Sequence, residues 1–248
     1  MNLLVTGASS GFGRAIAKEF GSKGHKVIAI ARRKEHLESL QSEIPHCTIV
    51  PCDICDKVAL KNAIESLPKD FKEIDVLVHN AGLALGISSA QNCDFDDWER
   101  MIETNIKALT YLTHLILPQM VERKSGHIIT IGSIAGRYPY PGGNVYGASK
   151  AFVRQFVLGL RSDLSGTNVR VSDIEPGLAE GSEFSLVRFK GDKQKADALY
   201  KGANALTPQD IAQAVYWVAT LPPHININTL EMMPTSQSFS ALNVHRES

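Results

Sequence analysis

The chain has 248 residues, 44% hydrophobic and 21% charged, with 26 Lys plus Arg balanced by 26 Asp plus Glu. This length and apolar share suit one sizeable α/β domain, and a formal charge of zero gives no field to attract nucleic acid or an anionic membrane. No apolar run approaches the roughly 18 residues of a bilayer-crossing helix, and four cysteines are too few for a disulfide framework in a chain this size.

The chain enters strand-like sequence at once, Asn2–Thr6, with no cationic stretch or cleavage site before it, so residence in the cytoplasm is expected. Strand-like and helix-like segments then alternate. Helix Gly13–Ser22 follows the first strand, Lys34–Glu43 follows strand Lys26–Ala31, and Lys57–Ser66 follows strand Cys47–Cys52. Strand Asp75–His79 leads to a long helix Trp98–Val121, and His127–Gly132 leads to Val145–Ser165. Val169–Ile174 precedes helix Pro208–Thr220, and Thr229–Met233 is the last strand. Near-continuous apolar strands such as Val27-Ile-Ala-Ile-Ala31 predict burial on both faces, as in a parallel sheet covered by helices. The expectation is a Rossmann-type doubly wound α/β fold, a parallel sheet of about seven strands in a single domain over 1–248.

Cys52-Asp-Ile-Cys55 has the spacing of a metal or redox pair. It lacks a second ligand pair and does not open a helix after the first strand, so no metal is expected. The stretch Leu178–Ala205 has no clear strand and carries Lys190-Gly-Asp-Lys193 at its centre; a segment of that length reads as a substrate-covering element. Helices Trp98–Val121 and Val145–Ser165 have more apolar positions than one face against a sheet needs, which points to packing against further copies of the chain.

Directly after the first strand comes Thr6-Gly7-Ala8-Ser9-Ser10-Gly11-Phe12-Gly13. Glycines there let the backbone turn sharply and approach a pyrophosphate, which the free N–H groups of the following helix can bind. The second strand ends in Arg32-Arg33, with no acid before Glu35. An acid near that point would bind a ribose 2′-hydroxyl, whereas guanidiniums pair with a 2′-phosphate, so NADP is the expected dinucleotide. Asp53 with Ile54, and Asn80-Ala81-Gly82, lie at the ends of later strands, where ligands bind in open α/β sheets.

Tyr146 and Lys150 are four residues apart on a helix and share a face, and Ser133 closes the strand before it. Hydride exchange at carbon needs a proton exchanged at oxygen. A free phenol is only about one part in a thousand ionised at pH 7, and bringing it to neutrality takes roughly 4 kcal/mol. A nearby ammonium and a cationic nicotinamide can supply that together, while the serine hydroxyl holds the substrate oxygen.

The set Thr6-Gly7-x-x-x-Gly11-x-Gly13, Asn80-Ala-Gly82, Asn105, Ser133, Tyr146-x-x-x-Lys150 and Pro176-Gly177 resembles the short-chain dehydrogenase/reductase family across nearly the whole chain. The resemblance implies Tyr146 as general acid/base, Lys150 lowering its pKa and holding the nicotinamide ribose, and Ser133 orienting substrate. It implies Asn105 as anchor of a water linking Lys150 to solvent. Asp53 and Ile54 would meet the adenine, and Gly7, Ser9, Ser10, Gly11, Phe12, Gly13, Pro176 and Gly177 would line the cofactor. His79 stands where the family often has Asn, and Ser182 is the nearest hydroxyl after Pro176-Gly177 for a carboxamide contact.

Asn80-Ala-Gly-Leu-Ala-Leu-Gly86, Gly142-Gly-Asn-Val-Tyr-Gly147, Asp173-Ile-Glu-Pro-Gly177, Glu183-Phe, Val187-Arg-Phe-Lys-Gly191 and Thr229-Leu-Glu-Met-Met-Pro234 are similar to the NADP-dependent 3-hydroxy acid dehydrogenases. That subgroup includes serine and allo-threonine dehydrogenases and malonic semialdehyde reductases, usually tetrameric. A small acid needs a charge partner, and Arg188 is the candidate, with Lys190 second and a solvated loop charge as the plain alternative. Reduction of bulkier ketones or 3-oxoacyl thioesters stays open as a second reading, and a cofactor-sensing protein without catalysis as a third.

Overall fold

The fold is that of a computed structural model, described over residues 1–239; the final residues of the expected domain, 240–248, lie outside the described residues. Seven strands carry the sheet: β1 (Asn2–Thr6), β2 (Lys26–Ala31), β3 (Cys47–Pro51), β4 (Val76–His79), β5 (Gly126–Ile131), β6 (Val169–Pro176) and β7 (Thr229–Met232). All pair in parallel, in the order β3-β2-β1-β4-β5-β6-β7. The order reverses direction between β1 and β4, which opens a crevice at their carboxyl ends.

Helices α1 (Gly11–Ser22), α2 (Lys34–Glu43) and α9 (Pro208–Thr220) cover one face of the sheet, and α3 (Lys57–Glu65), α5 (Leu109–Arg123) and α6 (Asn144–Asp163) the other. The period of two along a strand decides which side chain enters which layer. Leu3 and Val5 of β1 join Ile16, Phe20, Leu37 and Val215 in the first layer, while Leu4 joins Ile28, Leu60, Ile116 and Val157 in the second. Both layers are apolar, which is why the strands read as continuous hydrophobic runs.

Two stretches differ from the sequence expectation. The long helix read over Trp98–Val121 is α4 (Phe95–Ile102), a π-helical stretch over Glu103–Ala108, and then α5. Leu178–Ala205 contains two short helices, α7 (Phe184–Arg188) and α8 (Lys193–Ala198), and its ends meet through a bridge between Ala179 and Leu206. Among the described residues no helix is long and apolar enough to cross a membrane.

His79, at the end of β4, is almost fully buried, and its Nε2 lies 2.9 Å from Thr113 Oγ1. Thr113 spends its own hydroxyl proton on Leu109 O, so Nε2 is the donor. Burial pushes His79 down to about 3 and His127, beside Ser172, well below its ordinary value. The unfolded chain binds protons at these rings below about pH 6.5 and the folded chain does not. Stability is therefore expected to fall as the pH drops below about 6.5, by about 2 kcal/mol at pH 5 from His79 alone. Urea unfolding at pH 5 and pH 7 checks this: His79→Asn, which keeps a donor for Thr113, should shrink the difference by about that amount. An unchanged difference would contradict it.

Candidate active site

The Gly-rich turn between β1 and α1 is held from β4. Thr6 Oγ1 accepts from the backbone N–H groups of Asn80 (3.1 Å) and Ala81 (3.0 Å), and Asn80 Nδ2 donates to Thr6 O at 2.9 Å. Asn80 thus braces the turn, and the turn is tight enough that a Cβ on Gly13 would come within 2.5 Å of the Asn80 amide. Gly11 has φ of +51° and lies against Ser182, whose Cβ would be 2.6 Å from a Cβ at that position. Helix α1 opens at Ser10 without a side-chain cap, unlike α3, α4 and α9. Its first N–H groups are left for an anion, as a pyrophosphate requires.

A cleft of about 1580 Å³ runs along the carboxyl edge of the sheet. Gly7, Ser9, Ser10, Gly11, Phe12, Arg32, Arg33, Asp53, Ile54, Asn80, Ala81 and Gly82 line one part of it; Ser133, Tyr146, Lys150, Pro176, Gly177 and Arg188 are among those that line another. Gly13 and Asn105 stand behind this wall. Their contribution is to the shape of the turn and to the neighbouring backbone.

Tyr146 and Lys150 are one turn apart on α6, and both are nearly buried, with 9% and 8% of their surface exposed. Lys150 Nζ donates to Ile131 O at 2.7 Å and lies 5.9 Å from the Tyr146 ring centre. Burial lowers the Lys150 pKa and the Asp173 carboxylate opposes that shift. Burial pushes Tyr146 up to about 12, against the pull of the facing Ser133 hydroxyl and the Arg188 charge. Ser133 also caps the single turn after β5, accepting from Ala135 N at 3.1 Å.

Asn105 sits inside the π-helical stretch. Its amide oxygen accepts from Leu83 N (2.9 Å) and its nitrogen donates to Leu83 O (2.9 Å) and Ser149 Oγ (3.0 Å). Ser149 in turn donates to Tyr146 O at 2.7 Å. The side chain therefore links the loop after β4 to the helix carrying the phenol.

Arg188, on α7, reaches the same place from the other side. Its Nη2 donates to Tyr140 OH at 2.7 Å and its Nε to Gly86 O at 3.4 Å. The guanidinium carbon is 5.2 Å from the Tyr140 ring centre and 5.9 Å from that of Tyr146. Lys190 is turned elsewhere, bound to Asp97 at 2.8 Å with Asp94 at 3.7 Å, so the second choice for a substrate cation is an outer ion pair. Ser182 lies over Gly11, at the Gly-rich turn.

Sequence reasoning missed Tyr140, Phe184 and Glu183. Tyr140 sits in Tyr138-Pro-Tyr140-Pro, and two prolines between a strand and a helix were the available sign of a fixed loop. Phe184 packs on the Tyr146 ring at 5.7 Å between centres. Glu183 pairs with Arg33, 150 residues away, and no local pattern signals such a contact.

Residues 1–188 match the short chain dehydrogenase family. An NADP-dependent 3-hydroxy acid dehydrogenase of Salmonella typhi is 58% identical over 247 residues, spanning 99% of this chain and 100% of its own length. A serine 3-dehydrogenase of Rhizobium radiobacter is 52% identical, spanning 99% of this chain and 98% of its own. The solved closed form of a serine dehydrogenase complexed with NADP+ superimposes with a TM-score of 0.98 at 57% identity, over 100% of both chains. A family match over most of the chain, joined to full-length relatives above half identity, settles membership: the chain belongs to the short chain dehydrogenase family.

Proposed function

We propose that this chain is an NADP-dependent oxidoreductase that interconverts a short 3-hydroxy acid and its 3-oxo counterpart, of the serine, allo-threonine, 3-hydroxypropionate or malonic semialdehyde type. The observation that carries the reading is the Arg188 guanidinium held beside the Tyr146 phenol. Tyr140 and Gly86 each take one N–H from it, and Nη1 has no bond among the described residues. That leaves a planar fork suited to a carboxylate next to a group suited to exchange a proton with an adjacent oxygen. A neutral ketone or a thioester would leave this cation unmatched. The relatives, a 3-hydroxy acid dehydrogenase and a serine 3-dehydrogenase, point the same way.

NADP(H), when bound, supplies or accepts the hydride. Gly7, Ser9, Ser10, Gly11, Phe12 and Gly13 form the turn for its pyrophosphate, Arg32 and Arg33 take the 2′-phosphate, and Asp53 with Ile54 faces the adenine. Asn80, Ala81, Gly82, Pro176 and Gly177 complete the cleft walls. Ser133 holds the substrate oxygen, and Tyr146 gives that oxygen a proton on reduction and takes one on oxidation. Lys150 stabilises the phenolate and holds the ribose, and Asn105 keeps α6 in register with the loop after β4. Bringing the phenol from about 12 to neutrality is roughly 7 kcal/mol of differential stabilisation, more than the unburied value implied, because burial adds to the requirement. Residues 178–205 cover the substrate. We infer a homotetramer in the cytoplasm: Phe95, Ile102 and Phe152 expose apolar surface on α4 and α6, and all four cysteines are free. A monomer in light scattering at micromolar concentration would end the tetramer reading.

Tyr146→Phe should lower turnover at least a hundredfold, as loss of a general acid/base does, while NADPH affinity stays within about twofold. A variant that keeps more than about a hundredth of the activity would remove Tyr146 from that role.

Arg188→Ala should lower kcat/KM for 3-hydroxy acids at least tenfold, about 1.4 kcal/mol, relative to uncharged alcohols of the same size. Taking the ratio removes any effect of Arg188 on the phenol that both substrate classes share. An unchanged ratio would show that the carboxylate is bound elsewhere.

A further inference from the structure

The two arginines at the end of β2 are not equivalent. Arg32 forms no ion pair among the described residues, whereas both Nη atoms of Arg33 meet the two carboxylate oxygens of Glu183, at 2.9 and 2.6 Å. Arg33 Nη2 also donates to Ser10 Oγ at 2.9 Å and Ser9 Oγ at 3.1 Å. The guanidinium is therefore held against the Gly-rich turn through Nη2, and both its Nη atoms are taken by a carboxylate from the covering segment. Glu183 immediately precedes α7, and its neighbour Ser182 rests on Gly11, so backbone packing delivers the carboxylate to this spot. The hydrogen bond from Arg33, with that of Ser10 and the Arg33 charge, holds the Glu183 carboxyl below its usual value against the effect of burial.

A carboxylate and a phosphate both seek the same pair of parallel N–H groups. An anion already seated there both occupies the donors and repels a second anion through a few ångströms of half-exposed protein. We propose that Glu183 is a cofactor-specificity residue, an internal carboxylate that competes with the 2′-phosphate of the dinucleotide for Arg33. This rests on Arg33 reading that phosphate. The Arg33–Glu183 pair is half-exposed, and such pairs are weak, so a phosphate dianion aided by the free Arg32 can displace the carboxylate. A dinucleotide without the 2′-phosphate leaves the pair intact. Glu183 thus weakens the phosphorylated cofactor and spares the other, which narrows the preference that the two arginines create.

The test is fluorescence titration of NADPH and of NADH onto wild type, Glu183→Gln, Arg33→Ala and the double variant. Glu183 is on the surface, and Gln keeps its shape without its charge. Glu183→Gln should tighten NADPH about fivefold, near the upper end for an exposed pair, and leave NADH within twofold; the gain should vanish on the Arg33→Ala background. If Glu183→Gln leaves NADPH affinity unchanged or weaker while Arg33→Ala weakens it, the competition is overturned and Arg33 keeps its phosphate role. If Arg33→Ala leaves NADPH affinity unchanged, the phosphate reading of Arg33 and the competition both fall.

Discussion

The Tyr146 phenol is buried where water cannot stabilise its anion, yet the proposed exchange of a proton with a substrate oxygen requires that anion to be accessible. Burial pushes its pKa up to about 12, so every neighbouring group matters by the sign of the field it puts on the phenolic oxygen. Lys150 is fixed by Ile131 O, and Ser133 by the turn it caps. Arg188 is fixed by Tyr140 and Gly86. None of these groups has to reorganise when charge develops, which is the condition under which dipoles and cations in a dry site are most effective.

The same low-dielectric setting extends behind the site. Asp173 and Glu175, two apart on β6, point to one side of the strand and are almost completely buried. Thr130 donates to Asp173 at 2.6 Å, and Glu175 lies between Arg137 and Arg154. Burial raises the Asp173 carboxyl, and Lys150 opposes that rise. Lys150 and Asp173 thus each bias the other toward its charged form, against the burial that opposes both. Removing either charge would leave the other buried with less compensation, so these positions act together.

Much of this was legible in sequence. The seven strands and the main helices follow from apolar periodicity, and every strand end was read to within two residues, whereas the helix read from Trp98 begins three residues earlier. The Gly-rich turn, Asn80, Ser133 and the Tyr146–Lys150 spacing were legible because each is a local pattern tied to a strand end or a helix turn. The π-helical stretch around Asn105 was not, since a shift in apolar phase over six residues is too short to stand out from the helices on either side. Arg33 was read as a phosphate partner without its contact to Glu183, and Arg188 could be nominated but not located. Both depend on how residues 178–205 fold back over the sheet edge, a long-range outcome that no short spacing encodes.

The account stands on a phenol that is hard to ionise until the cofactor's positive ring joins Lys150 and Arg188. Ultraviolet titration of tyrosinate, taken as wild type minus Tyr146→Phe, reads that group directly. The free protein should show no Tyr146 ionisation below about pH 11, and addition of NADP+ should bring its midpoint down toward neutrality. A midpoint near neutrality in the free protein, or one that NADP+ leaves in place, would contradict the account.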